Sequence, residues 1–138
     1  MTVRLDLAGA RRVLDAALDR AVEIGRPMNV AVVDGGGHLL AFARQDGAKL
    51  GSIDIAIRKA RTAALMATTT EDLGTSAAPG GPLFGVQVTN GGLVIFGGGI
   101  PLTAADGEIA GAIGVSAGTV EQDITVARAG ADAFPAEP

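Results

Sequence analysis

The chain has 138 residues, 48% of them hydrophobic and 19% charged, with a formal net charge of −4. That length suits one domain spanning residues 1–138 with a hydrophobic core of its own, and it excludes a second catalytic domain. The composition excludes a disordered chain, and no apolar run is long enough to cross a membrane.

With no Cys and a single His, the chain offers no disulfides, no thiolate sites and no zinc cage of the usual kind. Only oxygen-ligated cations remain, and no residue is assigned to a metal. The first residues, Met1-Thr-Val-Arg-Leu-Asp6, lack the apolar segment of a secretory signal, so the expected compartment is the cytoplasm. Twenty-one Gly, four Phe and no Trp or Tyr imply elements that pack closely on small side chains.

Charge is unevenly placed. Residues 1–61 hold ten of the eleven Lys and Arg against seven acids, a surplus of three positive charges, and the remainder carries −7. Without a basic run or Tyr and Trp platforms, nucleic acid is not the expected partner. An anionic small molecule, or complementary faces meeting in a homo-oligomer, suits the asymmetry better.

In chain order, Asp6 precedes apolar residues at helical spacing, Leu7, Ala10, Leu14, Ala17, Leu18, Ala21 and Ile24, with Gly25 and Pro27 at the end. Asn29–Asp34 and His38–Arg44 flank Gly35-Gly-Gly37 and predict a β-hairpin. Ser52 is placed as the cap of a second helix reaching about Met66, with a short helical turn over Thr68–Leu73. From Gly74 to Gly92 the chain is rich in Gly and Pro, which predicts an irregular binding loop.

Leu93–Phe96 is predicted as a strand, Gly97-Gly-Gly99 as a bend and Ile100–Leu102 as a short strand. Asp106-Gly107 predicts a further hairpin turn leading into a strand from Glu108 to Val115. Thr119 to Gln122 has the form of a capping box opening a last helix to about Ala133. The expectation is an α+β domain with a central antiparallel sheet of about five strands and helices packed on it.

Gly114-Val-Ser116-Ala-Gly118 matches the elbow motif of a serine hydrolase. The chain is short for that fold, however, and its only histidine, His38, lies upstream of Ser116 rather than after it. Turn chemistry is the competing reading, and the geometry between Ser116 and His38 decides between them. His38 is the sole imidazole, so histidine ligation or near-neutral proton transfer has to use it, the alternative being an ordinary turn histidine.

Arg58 and Arg61 share a helical face from which Lys59 diverges, so one of the three points inward or toward a partner. With Arg44, Asp46 and Asp34 they form either a structural salt-bridge set or a carboxylate site. The acidic pairs Glu71/Asp72, Asp106/Glu108 and Glu121/Asp123 are read as helix starts and turns.

Taken in order, Val30-Ala-Val-Val-Asp34-Gly-Gly, Arg44-Gln-Asp46-Gly-Ala48, Lys59-Ala-Arg-Thr-Ala63, Gly97-Gly-Gly-Ile-Pro101, Gly111-Ala-Ile-Gly-Val-Ser116 and Gln122-Asp123 resemble the GlcG/HbpS family, also called DUF336 and related to the PduO carboxy-terminal domain. The resemblance runs from about Leu5 to Phe134. It implies an α+β domain with a central antiparallel sheet, assembly into homo-oligomers and, in some members, haem binding.

The resulting expectation is a small-ligand-binding protein with haem or a related cofactor as leading ligand. The cofactor-binding candidates are His38, Arg44, Lys59, Arg61, Gly97, Gly98, Gly99 and Pro101. The alternative is an enzyme or metabolic accessory acting on a small carboxylate or carbonyl compound. Asp34, His38 and Asp46 would then be proton carriers, with Arg44, Lys59 or Arg61 as anion anchor.

Overall fold

A computed structural model describes residues 4–135; residues 1–3, where the stretch read for a signal segment begins, lie outside the described residues. Helix α1, Leu7–Glu23, starts where the Asp6 carboxylate accepts a bond from the Gly9 amide at 2.7 Å. It stops at Gly25, whose φ of +70° carries the chain out of the helix. Gly9, Ala10, Val13, Leu14, Ala17 and Ala21 form its buried stripe.

Strands β1, Asn29–Asp34, and β2, Leu39–Arg44, form the expected hairpin. Helix α2, Ser52–Met66, follows the expected bounds, but Gly51 is its cap and supplies no side-chain bond. Ser52 is therefore the first helical residue, buried at the helix start, and not the cap the sequence suggested. Helix α3, Thr70–Ala77, is capped by Thr69 and runs through Gly74 into the stretch expected to be irregular. Residues 78–92 are irregular apart from one 3-10 turn at Val86–Val88.

Strands β3, Gly99–Thr103, and β4, Ile109–Ser116, pair through the turn at Asp106-Gly107, and α4, Val120–Asp132, opens on the expected Thr119/Gln122 capping box. The acidic pairs sit as read: Glu71 and Asp72 in the first turn of α3, Glu121 and Asp123 in that of α4, and Asp106 accepting from the Glu108 amide at 3.0 Å.

Four strands form one antiparallel sheet in the order β2-β1-β4-β3, one fewer than expected. The strand that is absent is Leu93–Phe96. Leu93 and Val94 are buried, but the Val94 amide donates to the Thr62 hydroxyl of α2 at 3.1 Å and joins no ladder. The chain first reaches β4 at Gly98, whose carbonyl accepts from the Val115 amide at 2.9 Å.

Both faces of the sheet are covered. Val30, Val32, Leu102, Ile113 and Val115 pack with α1 and α4, while Ala31, Val33 and Ala112 pack with α2 through Ala56, Ala60, Ala63 and Ala64. That alternation is the two-residue period of a strand buried on both sides. The alanine side is very close-packed: a Cβ on Gly114 would land on the Ala56 carbonyl, and one on Gly99 would stand 2.5 Å from the Lys59 carbonyl. The small-residue composition lets a helix backbone lie directly on the strands.

Candidate functional site

At the β1–β2 turn the Asp34 carboxylate accepts from the amides of Gly36 and His38, each at 2.9 Å. The same oxygen lies 3.2 Å from His38 Nδ1. Partial burial raises the Asp34 pKa, but the His38 and Gly36 amides and the His38 ring outweigh it and hold the carboxyl below its ordinary value. An ionised carboxylate only accepts, so His38 Nδ1 is the donor in this contact and Nε2 lies on the far side of the ring from Asp34. The His38 side chain is 82% exposed.

Beside this turn lies the carboxy-terminal half of α2. A Cβ on Gly37 would stand 3.3 Å from Arg61 Cγ and 3.6 Å from the Leu65 side chain, which places Arg61 and Leu65 against the hairpin tip. Leu39 and Leu65 are exposed on this surface. The aliphatic stem of Arg61 thus packs beside the turn that holds Asp34 and His38, while its guanidinium bonds the Asn90 carbonyl at 2.7 Å.

Lys59 points the other way. Its ammonium is fully buried and donates to Asp123 Oδ2 at 2.9 Å and to the Val115 carbonyl at 2.8 Å, with the Phe96 ring centroid 5.0 Å away. Asp123 also accepts from the Gly118 amide at 3.0 Å. Burial pushes the Lys59 pKa down and the Asp123 pKa up, while the bond between the two opposes both shifts. An added Cβ on Gly98 would stand 2.7 Å from Lys59 Nζ, so this glycine makes room for the ammonium. Gly97 is filled from outside in the same way, by Ile124 and Val120. Sequence reasoning offered Lys59 as an anion anchor; it holds an internal carboxylate, and Asp123 and Phe96 are the partners that reasoning missed. Asp123 stood out in the sequence by its place in the first turn of α4 and in the Gln122-Asp123 motif, and neither signal pointed to Lys59.

Arg44 and Asp46 lie at the opposite end of the hairpin. Arg44 pairs with Asn29, five residues along β1 from Asp34 and about 17 Å away at strand rise. Asp46 borders a cavity of about 280 Å³ with Arg26, Pro27 and Gln45. Pro101 pairs with Ala112 on the β3 edge. The structure therefore separates Asp46 from Asp34 and His38, and Arg44 from Arg61.

Ser116 pairs with Asn29, whereas the His38 carbonyl accepts from the Asp34 amide at 2.8 Å. Serine and histidine thus stand at opposite ends of β1, so the buried Ser116 is out of reach of the His38 imidazole. The elbow motif here is turn chemistry. Among the described residues no group of three His, Asp or Glu side chains converges, and no helix is long and apolar enough to cross a membrane.

A family model described as haem degrading protein HbpS-like matches residues 5–132. This chain belongs to the HbpS-like family. The match covers nearly all of the stretch over which the sequence motifs resemble that family. Among HbpS-like relatives, an uncharacterised 15.0 kDa protein from the dhaT–dhaS intergenic region of Citrobacter freundii is 41% identical, with 94% of this chain and 92% of the relative covered. The corrinoid adenosyltransferase PduO of Salmonella typhimurium is 36% identical over 91% of this chain, which spans only 38% of that enzyme. The crystal structure of a PduOC:heme complex superposes with a TM-score of 0.89 at 35% identity, covering 95% of each chain.

Proposed function

We propose that this HbpS-like protein binds haem, or a closely related planar ligand, on the surface where the β1–β2 turn meets the carboxy-terminal half of α2. The observation that carries the reading is the His38 ring: Nδ1 is held by an ionised Asp34 and the side chain is 82% exposed. Metal-ligating histidines are commonly oriented in this way, the second ring nitrogen donating to a carboxylate. The likeness to a chain crystallised with haem supports the same choice.

The residues present fit the group. His38 would offer Nε2 to the iron, exposed Leu39 and Leu65 would offer apolar surface, and Arg61 would offer a cation to a propionate. Bound haem would bring one-electron and oxygen chemistry, and the chain's own part would be to orient the imidazole, which the Asp34 contact at Nδ1 does. Lys59, Gly97, Gly98 and Gly99 contribute by fixing α2 against β4 and α4, while Arg44, Asp46 and Pro101 take no part in this surface.

The test is a titration of hemin into the purified protein, followed at the Soret band. With no Trp, Tyr or Cys the chain itself absorbs little in the near ultraviolet, so a bound chromophore dominates the spectrum. A saturable, stoichiometric shift that disappears in His38→Ala supports the reading. A non-saturating response overturns it and favours the second reading, an enzyme or accessory acting on a small carboxylate or carbonyl compound. A cavity of about 340 Å³ bordered by Arg4, Asp34, Gly35 and Gly36 favours that second reading, with the Asp34–His38 pair as proton carrier. Assembly with copies of itself and a cytoplasmic location belong to the same proposal. Exposed Leu83, Phe84 and Val88 support assembly, and sedimentation measures it.

A further inference from the structure

Arg58 and Arg61 sit one turn apart on α2 and face a cleft of about 310 Å³ whose other walls are Asp54, Ile57, Asn90 and Gly91. Asn90, Gly91 and Gly92 all have positive φ, +54°, +72° and +108°, and this left-handed run faces all three of their carbonyls toward α2, that of Gly92 accepting from Arg58 Nη1 at 3.4 Å. The Asn90 carbonyl accepts from Arg61 Nη1 at 2.7 Å and the Gly91 carbonyl accepts from Arg58 Nη1 at 2.6 Å. Arg58 Nε donates to Asp54 at 2.8 Å.

A guanidinium carries five N–H donors in a rigid fork. Among the described residues Arg61 uses Nη1 alone, which leaves its Nε/Nη2 edge, the edge that matches a carboxylate with two parallel bonds. Arg58 keeps Nη2. The two arginines and Asp54 leave a surplus of one positive charge at the cleft. The loop carbonyls hold both side chains in place, so less rotamer entropy remains to be lost on binding.

We propose that this cleft is a carboxylate-binding site. Arg61 is the two-pronged contact, Arg58 the second donor, and the 90–92 turn the positioning element. Its ligand is either a small free dicarboxylate or the carboxylate edge of a larger molecule such as a haem propionate. The site stands on its own geometry and does not require haem to bind at His38.

Succinate is the first probe, titrated while the Nε resonances of Arg58 and Arg61 and the amides of residues 89–93 are followed by NMR. Saturable shifts are expected, with affinity falling about tenfold or more in Arg61→Gln and part of that in Arg61→Lys, which keeps the charge but loses the fork. Gly92→Ala keeps both charges yet places a Cβ 2.7 Å from Arg58 Nη1, and it weakens binding several-fold if the turn positions the guanidinium.

Arg128→Gln, on the exposed face of α4, leaves succinate binding unchanged. Hemin and its dimethyl ester form the second arm. If the free acid binds more tightly and Arg61→Gln removes the difference, the carboxylate comes from the porphyrin; if only succinate responds, it is a free acid. Linear shifts with succinate, or equal losses in Arg61→Gln and Arg128→Gln, together with equal binding of acid and ester, overturn the proposal. Loss of the Soret response in the wild-type protein overturns the haem reading and leaves the succinate result standing.

Discussion

Lys59 and Asp123 belong to helices on opposite faces of the sheet, yet Lys59 Nζ and Asp123 Oδ2 are 2.9 Å apart. The lysine reaches across the edge of β4 just where β3 has left it, and its ammonium bonds the Val115 carbonyl. In effect the side chain supplies a donor that a continuing strand would have supplied. Removing Asp123 alone strands a charge in the interior, so Asp123→Ala is expected to lower the unfolding free energy by about 3–5 kcal/mol. The double variant Lys59→Met/Asp123→Asn is expected to lose much less, since it leaves no uncompensated charge. Urea unfolding of the two variants measures the difference, and equal losses would contradict the pairing.

The hairpin turn has its own pH dependence. The folded Asp34 carboxyl has a lowered pKa, so the unfolded chain takes up this proton first as pH falls. Its stabilising contribution is therefore complete above the ordinary carboxylate value, declines below it and is gone once pH has passed the folded pKa. A carboxyl carbon titration by NMR should show Asp34 titrating below a typical aspartate, with the His38 amide shifting at the same midpoint. In Asp34→Asn that step disappears from the His38 amide.

Glycine positions separate crowding from backbone strain. In Gly114→Ala the new Cβ meets the Ala56 carbonyl and stands 2.5 Å from the Ala60 nitrogen, so α2 has to move off β4. The expected cost is about 3 kcal/mol. Gly107 has φ +86° and nothing within 4 Å of an added Cβ, so Gly107→Ala costs only about 1 kcal/mol of backbone strain. Thermal unfolding of the pair should rank them in that order.

Ala67 ends α2 in the left-handed region at φ +53° and is exposed. A residue with a Cβ costs more there than glycine does. Ala67→Gly is expected to stabilise the protein by about 0.5–1 kcal/mol, read as a raised midpoint in urea with an unchanged slope.

Much of the fold was legible before any coordinates. Helix α1 announced itself by the Asp6 cap and its apolar spacing, β1 by a β-branched run between turns, and α4 by its capping box, all of them signals that act within a few residues. Leu93–Phe96 carries an equally good strand signal and forms none, because Thr62 on a distant helix takes the Val94 amide. Ser52 resembles a cap and is not one, since Gly51 takes that position.

At the candidate site the sequence brought His38, Asp34 and Arg61 to notice as residue types, and left open which of Arg58, Lys59 and Arg61 turns inward. A helical wheel gives relative angles but no direction for the core. Tertiary packing supplied that direction. Alanines of α2 sit on the sheet, Lys59 is carried with them to the β4 edge, and Arg58 and Arg61 are left facing the 90–92 turn.

By itself, then, the sequence determined the antiparallel α+β fold, its family, three of its helices closely, and the chemical inventory of one imidazole and a cationic first half. Those properties rest on composition and on interactions between near neighbours. Only the tertiary structure decided that the sheet has four strands, that Ser116 and His38 never meet, and that Lys59 serves the interior while Arg61 serves a cleft. Each of these depends on partners 29 to 87 residues away along the chain, whose approach is set by packing and is invisible to any local pattern.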